Sequence, residues 1–344
     1  MNDTELKNLA RALVSPGKGI LAADESIGTI EKRFNDYEIK NTVENRRDYR
    51  ALLFCAEGAA EFISGVILHD ETIRQKTSDG MPLIELLQKQ GVIPGIKVDK
   101  GAKDLAGYPE EKVTEGLDGL RDRLKEYYEL GARFAKWRAV IKIGDGIPSD
   151  TCLHANAQAL GRYAALCQEQ KIVPIVEPEV LMDGSHSIER CFEVTERTLH
   201  FVFNALFTNH VLLEGMILKP NMVVSGEACE QQADIREIAD MTLRCLYRAV
   251  PAAVPGIVFL SGGQSEEQAT SNLNAMNSDG ANHPWELSFS FGRALQQSAL
   301  SRWTGQPKRV LAASQAFVRR SQLNSMARYG KYQSKMESET NDFR

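Results

Sequence analysis

The stretch "LLEGMILKPNM" (212–222) ends an apolar run on a lysine with proline directly behind it. A strand that buries itself in a core has no structural use for an ammonium at its last position, so Lys219 calls for a chemical reason. Lysine becomes a nucleophile when desolvation and neighbouring cations pull its pKa from about 10.4 toward neutrality. Comparable charges close other apolar runs. "FAKWR" carries Lys136 and Arg138, "EPE" carries Glu177 and Glu179, and "GIKVD" carries Lys97 and Asp99. Asp24 closes "GILAAD" and Arg293 closes "LSFSFGR". Residues two apart in a strand share a face, so each pair points one way and Trp137 the other. An amine beside carboxylates is the equipment of Schiff-base chemistry. The amine condenses with a ketone, the iminium draws electrons from an adjacent C–C bond, and the carboxylates move protons to and from hydroxyls. A purely structural ion-pair layer competes with this account, because Asp24, Asp99, Glu177 and Glu179 balance Lys97, Lys136, Arg138 and Lys219. Buried charge is costly and rarely helps stability, which favours a charged substrate pocket.

Phosphate handling is suggested separately. "LSGGQS" (260–265) follows one apolar run and opens a helical one, where backbone N–H groups can cradle an anion. "FGRA" (291–294) follows the next run in the same way. A glycine pair alone is as often a turn; two such loops in succession carry more weight. The histidines at 69, 154, 186, 200, 210 and 283 show neither H-x-x-H nor H-x-x-x-H spacing, so nothing local points to a metal. Six cysteines without a C-x-x-C pair read as reduced thiols in the cytosol. No G-x-G-x-x-G follows the first apolar run and no P-loop occurs, which weakens dinucleotide- and nucleotide-binding readings.

Something must hold these charges together. Short apolar runs recur at 19–24, 65–69, 95–99, 134–140, 173–179, 216–220, 256–263 and 287–293. Amphipathic helical candidates lie between them at 43–62, 113–130, 155–170, 187–207, 233–249 and 265–278. Strand–helix alternation means parallel strands with crossover helices, and eight units suggest a closed (β/α)8 TIM barrel. No linker-like segment divides the 344 residues, so one α/β domain over 1–344 is expected. Composition, 43% hydrophobic and 25% charged, is that of a globular enzyme. No run approaches the ~20 apolar residues of a membrane span, and the acid-bearing start does not read as a signal peptide. A net charge of −5 without a basic run argues against a nucleic-acid partner.

From "SPGKGILAADES" to "GKY" (330–332), more than nine-tenths of its length, the chain resembles class I (Schiff-base) fructose-bisphosphate aldolases. The motifs that carry the resemblance are "GILAADES", "GIKVDKG", "FAKWR", "IVPIVEPE", "LLEGMILKPNM", "FLSGGQSEE" and "GRALQ". It implies a barrel over about 18–305 followed by a C-terminal helix and tail over about 308–344. The implied activity is a carbon–carbon lyase without cofactor or metal, acting on phosphorylated ketoses and trioses as a cytoplasmic homotetramer. By motif, Lys219 would form the Schiff base, Asp24 would take the proton of the C4 hydroxyl, and Glu177 would serve carbinolamine formation and dehydration. Glu179 and Lys136 would orient and support them. Lys97 and Arg138 would bind substrate hydroxyls and phosphate. Ser261, Gly262, Gly263, Gly292 and Arg293 would hold the dihydroxyacetone-side phosphate, and Ser26, Thr29 and Arg33 the other. Thr29 stands where serine is commoner, and Phe291 where some relatives carry tyrosine. Many relatives end in a tyrosine that exchanges the enamine's C3 proton. Here the last aromatic is Phe343, so another group or water is expected to do that work, and Tyr329 and Tyr332 read as the tail's anchor. Fructose 1-phosphate and sedoheptulose 1,7-bisphosphate stay open as alternative substrates. A purely non-enzymatic role with cytoskeletal partners is a third reading that no residue here specifically indicates.

Overall fold

A computed structural model describes residues 3–278 and 282–338. Eight strands line its centre: β1 (Gly19–Ala23), β2 (Ile63–Leu68), β3 (Ile93–Lys97), β4 (Phe134–Ile141), β5 (Val173–Val180), β6 (Ile217–Leu218), β7 (Gly256–Phe259) and β8 (Glu286–Phe291). All pair in parallel and in chain order, and β8 returns to β1 to close the ring. The helices are α1 (Asp3–Leu13), α2 (Ile27–Asn35), α3 (Val43–Phe54), α4 (Asp70–Ile73), α5 (Leu83–Lys89), α6 (Leu120–Leu130), α7 (Asp150–Glu169), α8 (Ile188–Thr208), α9 (Ile235–Ala249), α10 (Glu266–Asn277), α11 (Arg293–Trp303) and α12 (Val310–Arg328).

Period-two side chains divide the apolar residues into two cores. Ile20, Ala22, Ile67, Phe134, Val173, Ile175, Ile217 and Val258 face inward and pack on one another. The alternate residues, among them Leu21, Leu68, Ile96, Trp137 and Val176, face the helices. Leu6, Ala10, Leu13 and Val14 belong to the inner set, so α1 stops the N-terminal end of the barrel. Two interior glycines make the room. A Cβ on Gly95 would lie 2.3 Å from the Phe134 ring, and one on Gly256 2.5 Å from Val14. Inward apolar layers therefore fill only the lower part of the barrel, and the mouth is left for polar side chains.

The eight expected strands are all present, with ends shifted by a few residues. The run 256–263 stops as a strand at Phe259, and 216–220 pairs only at Ile217 and Leu218 because Pro220 offers no donor. Lys219 nevertheless continues the ladder, its N–H donating to Val176 O at 2.8 Å. The helical reading of 43–62 is corrected: α3 ends at Phe54, and a left-handed Gly58 precedes a separate 3-10 turn (Ala59–Glu61). The reading of 113–130 is corrected too. Ala102–Asp104 and Lys112–Thr114 form an antiparallel hairpin beyond β3, and α6 starts only after Gly119 at φ +65°. The reading of 155–170 starts late, because α7, capped by Ser149, begins five residues earlier with a polar first turn that apolar periodicity does not register. Helices α1, α2, α4, α5 and α11 lie outside the helical candidates read from periodicity. The C-terminal region holds one long helix, α12, then a 3-10 turn (Ser334–Glu337) anchored where Tyr332 and Arg320 both reach Glu337, at 2.7 and 2.6 Å. The tail reading around Phe343 falls outside the described residues.

Candidate active site at the C-terminal mouth of the barrel

Most inward apolar positions are followed on the same face, two to six residues on, by a group that can do chemistry. Ile20 and Ala22 lead to Asp24, Ile67 to His69, and Ile93 to Lys97 and Asp99. Phe134 leads to Lys136 and Arg138, Val173 and Ile175 to Glu177 and Glu179, and Ile217 to Lys219. These side chains surround a cavity of about 1000 Å³ that is also lined by Ser26, Thr29, Arg33, Ser261, Gly262, Gly292 and Arg293. All but one of the residues singled out from sequence thus meet in one place.

The exception is Gly263. Its N–H points away from the cavity to Met182 Sδ at 2.8 Å, and the same sulfur would meet an added Cβ at 2.6 Å. At the start of α10 the reciprocal Ser265–Gln268 capping box takes up the N–H groups of Ser265 and Gln268. Gly262 adopts φ +55°, a left-handed conformation that favours glycine. Arg293 spans the two loops, its Nη2 donating to Gly262 O at 3.3 Å.

The ionic core of the site is nearly dry. Lys219 and Glu177 are 3% exposed and Lys136 is 4% exposed. Glu177 lies between the two lysines, Oε1 3.0 Å from Lys219 Nζ and Oε2 3.0 Å from Lys136 Nζ. Lys136 Nζ also stands 2.8 Å from Asp24 Oδ2. A carboxylate thus bridges the two ammoniums, and a proton acceptor touches the amine directly. Burial alone would raise the Asp24 carboxyl, but Lys136 and Lys219 outweigh it and hold the group below the ordinary carboxylate range. The same contest, with Arg138 added, ends with Glu177 lowered. Burial disfavours the Lys136 ammonium, yet Asp24, Glu177 and Asp99 push its pKa up, so it stays a cation.

Around this core the remaining charges pair locally. Lys97 Nζ folds back on Asp99 Oδ1 at 2.5 Å, and Asp99 also accepts the N–H groups of Arg138 and Gly101. Arg138 pairs with Glu179. Ser26 caps α2, with its hydroxyl 2.9 Å from that of Thr29. Arg33 is paired with Glu25.

Glu25 escaped the sequence reading. It accepts from Arg33, from Arg50 Nη2 at 2.5 Å and from Gln296 Nε2 at 3.0 Å, and so ties β1 to α2, α3 and α11. Burial opposes its ionisation, but Arg50 and Arg33 prevail and lower its pKa. Only the fold identifies Glu25, because its partners are remote in sequence. His69 and Ser290, which also line the cavity, were legible: each sits two residues beyond an inward position of its strand.

A family model described as "Fructose-bisphosphate aldolase class-I" matches residues 5–343. The chain is 58% identical over 333 residues to a "Probable fructose-bisphosphate aldolase class 1" of Xanthomonas campestris pv. campestris, covering 96% of this chain and 99% of that one. It is 57% identical to "Fructose-bisphosphate aldolase 6, cytosolic" of Arabidopsis thaliana, covering 95% of this chain and 91% of that one. A solved structure of fructose-bisphosphate aldolase from Plasmodium falciparum, in complex with TRAP and a small-molecule inhibitor, superposes with a TM-score of 0.95 at 52% identity, covering 96% of both chains.

Proposed function

The chain belongs to the class-I fructose-bisphosphate aldolase family, and on that premise we propose that Lys219 is the amine that carries its reaction. That reaction is the reversible aldol cleavage of fructose 1,6-bisphosphate to dihydroxyacetone phosphate and glyceraldehyde 3-phosphate, a step of glycolysis and gluconeogenesis. Lys219 adds to the C2 ketone. Glu177 passes protons as the carbinolamine forms and water leaves, which yields the iminium. Asp24 takes the proton of the C4 hydroxyl, the C3–C4 bond breaks, and its electron pair flows into the iminium to give an enamine. The aldehyde departs, C3 gains a proton, and water releases dihydroxyacetone phosphate from Lys219. Lys136 stays cationic between Asp24 and Glu177 and stabilises both in their ionised forms, while Glu179 fixes Arg138. Ser261, Gly262, Gly292 and Arg293 take the C1 phosphate; Ser26, Thr29, Arg33, Lys97 and Arg138 take the far end of the sugar.

One observation carries this reading: Lys219, nearly dry at the end of β6, has the carboxylate of Glu177 at 3.0 Å and faces a cavity large enough for a hexose bisphosphate. Mass spectrometry after borohydride reduction with dihydroxyacetone phosphate tests it. The adduct is expected on Lys219. An adduct on Lys136 or Lys97, or none, overturns the assignment.

The setting is cytosolic, as for two Arabidopsis relatives named cytosolic, at 57% and 55% identity. We propose a homotetramer, a state implied by the family likeness. Light scattering of the purified chain tests this.

A further inference from the structure

In a closed ring of eight strands β2 lies diametrically opposite β6. His69 follows β2 at the inward parity of Ile67 and lines the cavity facing Lys219. Its Nδ1 accepts the Glu71 N–H at 3.3 Å as the cap of α4, which leaves the hydrogen on Nε2. Nε2 has no protein partner among the described residues. The charged groups around the ring are Asp24 on the β1 side, Lys97 on the β3 side, Arg50 from α3 and Glu71 from α4. Burial, followed by Lys97, lowers the imidazole's pKa from its ordinary value, so the ring is neutral at neutral pH.

We propose that His69 is a specificity-determining residue, whose Nε2–H donates to an oxygen in the aldehyde half of the substrate. The inference rests on the function proposed above. With the ketone carbon on Lys219 at the end of β6 and its phosphate at the loops after β7 and β8, the other three carbons must cross the mouth to the side of the ring opposite β6. That direction leads to β1, β2 and β3. Lys97 and Arg33 supply positive charge there for a phosphate. A neutral donor between Asp24 and Lys97 suits an uncharged oxygen instead, the aldehyde carbonyl or the hydroxyl beside it. It adds selectivity without another cation beside the ion pairs.

The test is condensation, with dihydroxyacetone phosphate saturating and glyceraldehyde 3-phosphate varied, for the wild type, His69→Phe and His69→Gln. His69→Phe should raise the KM for the aldehyde about tenfold, and His69→Gln, which keeps a donor near Nε2, should recover most of it. Borohydride trapping of dihydroxyacetone phosphate on Lys219 should be equal in all three. An unchanged aldehyde KM in His69→Phe, with trapping intact, overturns this inference alone. Parallel loss of trapping and aldehyde binding in both variants shows a packing role and overturns it too. Absence of trapping in the wild type instead sinks the Schiff-base reading beneath it.

Discussion

Lys136 holds two carboxylates in a dry site, Asp24 at 2.8 Å and Glu177 at 3.0 Å, and this makes its removal a pH-dependent event. Both carboxyls sit below their ordinary values in the folded state. Groups of that kind contribute stability that is complete above the unfolded pKa of about 4 and is lost as pH falls through the folded value. The wild type should therefore keep its thermal midpoint from pH 8 to 5 and lose it only in stronger acid. In Lys136→Met the cation is gone and burial dominates, so both carboxyls rise and the folded state takes up protons. Breaking such a buried pair costs about 3–5 kcal/mol at pH 8. Since the folded variant binds more protons than its unfolded chain, that loss should shrink toward pH 5. Calorimetric scans of both proteins at the two pH values check this. A loss independent of pH would mean that Lys136 does not set the state of these carboxyls.

The two loops proposed to receive the C1 phosphate belong to different strand–helix units, and Glu266 joins them. It stands in the first turn of α10, just past Ser261 and Gly262. Its carboxylate accepts the N–H of Ser298 in α11 at 2.9 Å and the hydroxyl of the same residue. Arg320 of α12 lies 3.9 Å from Glu266 and grips Glu337 through two bonds of 2.8 and 2.6 Å, so the C-terminal turn leans on the same joint. Glu266→Ala removes a charged acceptor worth about 1.5–3 kcal/mol. The Ser265–Gln268 capping box survives, so α10 should still start in its place. The expected outcome is a KM for fructose 1,6-bisphosphate raised severalfold to tenfold with kcat changed less, and a lower thermal midpoint. Equal KM values would confine Glu266 to holding helices together.

Stability and chemistry occupy opposite ends of the molecule. Helix α1 closes the N-terminal end with Leu6, Ala10, Leu13 and Val14, while every charge of the site stands at the C-terminal mouth. Leu13 is fully buried, and its Cδ2 lies 2.9 Å from where a Cβ of Gly65 would stand. Leu13→Ala should therefore cost about 2–5 kcal/mol in urea denaturation. Borohydride trapping on Lys219 in the folded protein should be unchanged. If trapping falls in step with stability, the two ends are coupled and the lower barrel layers also shape the mouth.

What the sequence determined by itself follows from local rules. Period-two alternation in "GIKVD", "FAKWR" and "EPE" placed Lys97 with Asp99, Lys136 with Arg138 and Glu177 with Glu179 before any neighbour was known. Eight apolar runs separated by amphipathic segments sufficed for a closed barrel, because each unit declares its own period and the crossover rule leaves few arrangements. Polar first turns, the hairpin at 102–114 and the short helices carry weaker periodicity, and there the boundaries slipped. Tertiary structure alone decided which charge meets which. Glu177 lies between Lys219 and Lys136, Glu25 gathers Arg33, Arg50 and Gln296, Gly263 turns toward Met182, and His69 looks across at Lys219. Alternation fixes the face on which a side chain stands, but its partner is set by ring closure and strand stagger, which bring together residues such as Glu25 and Gln296, 271 positions apart.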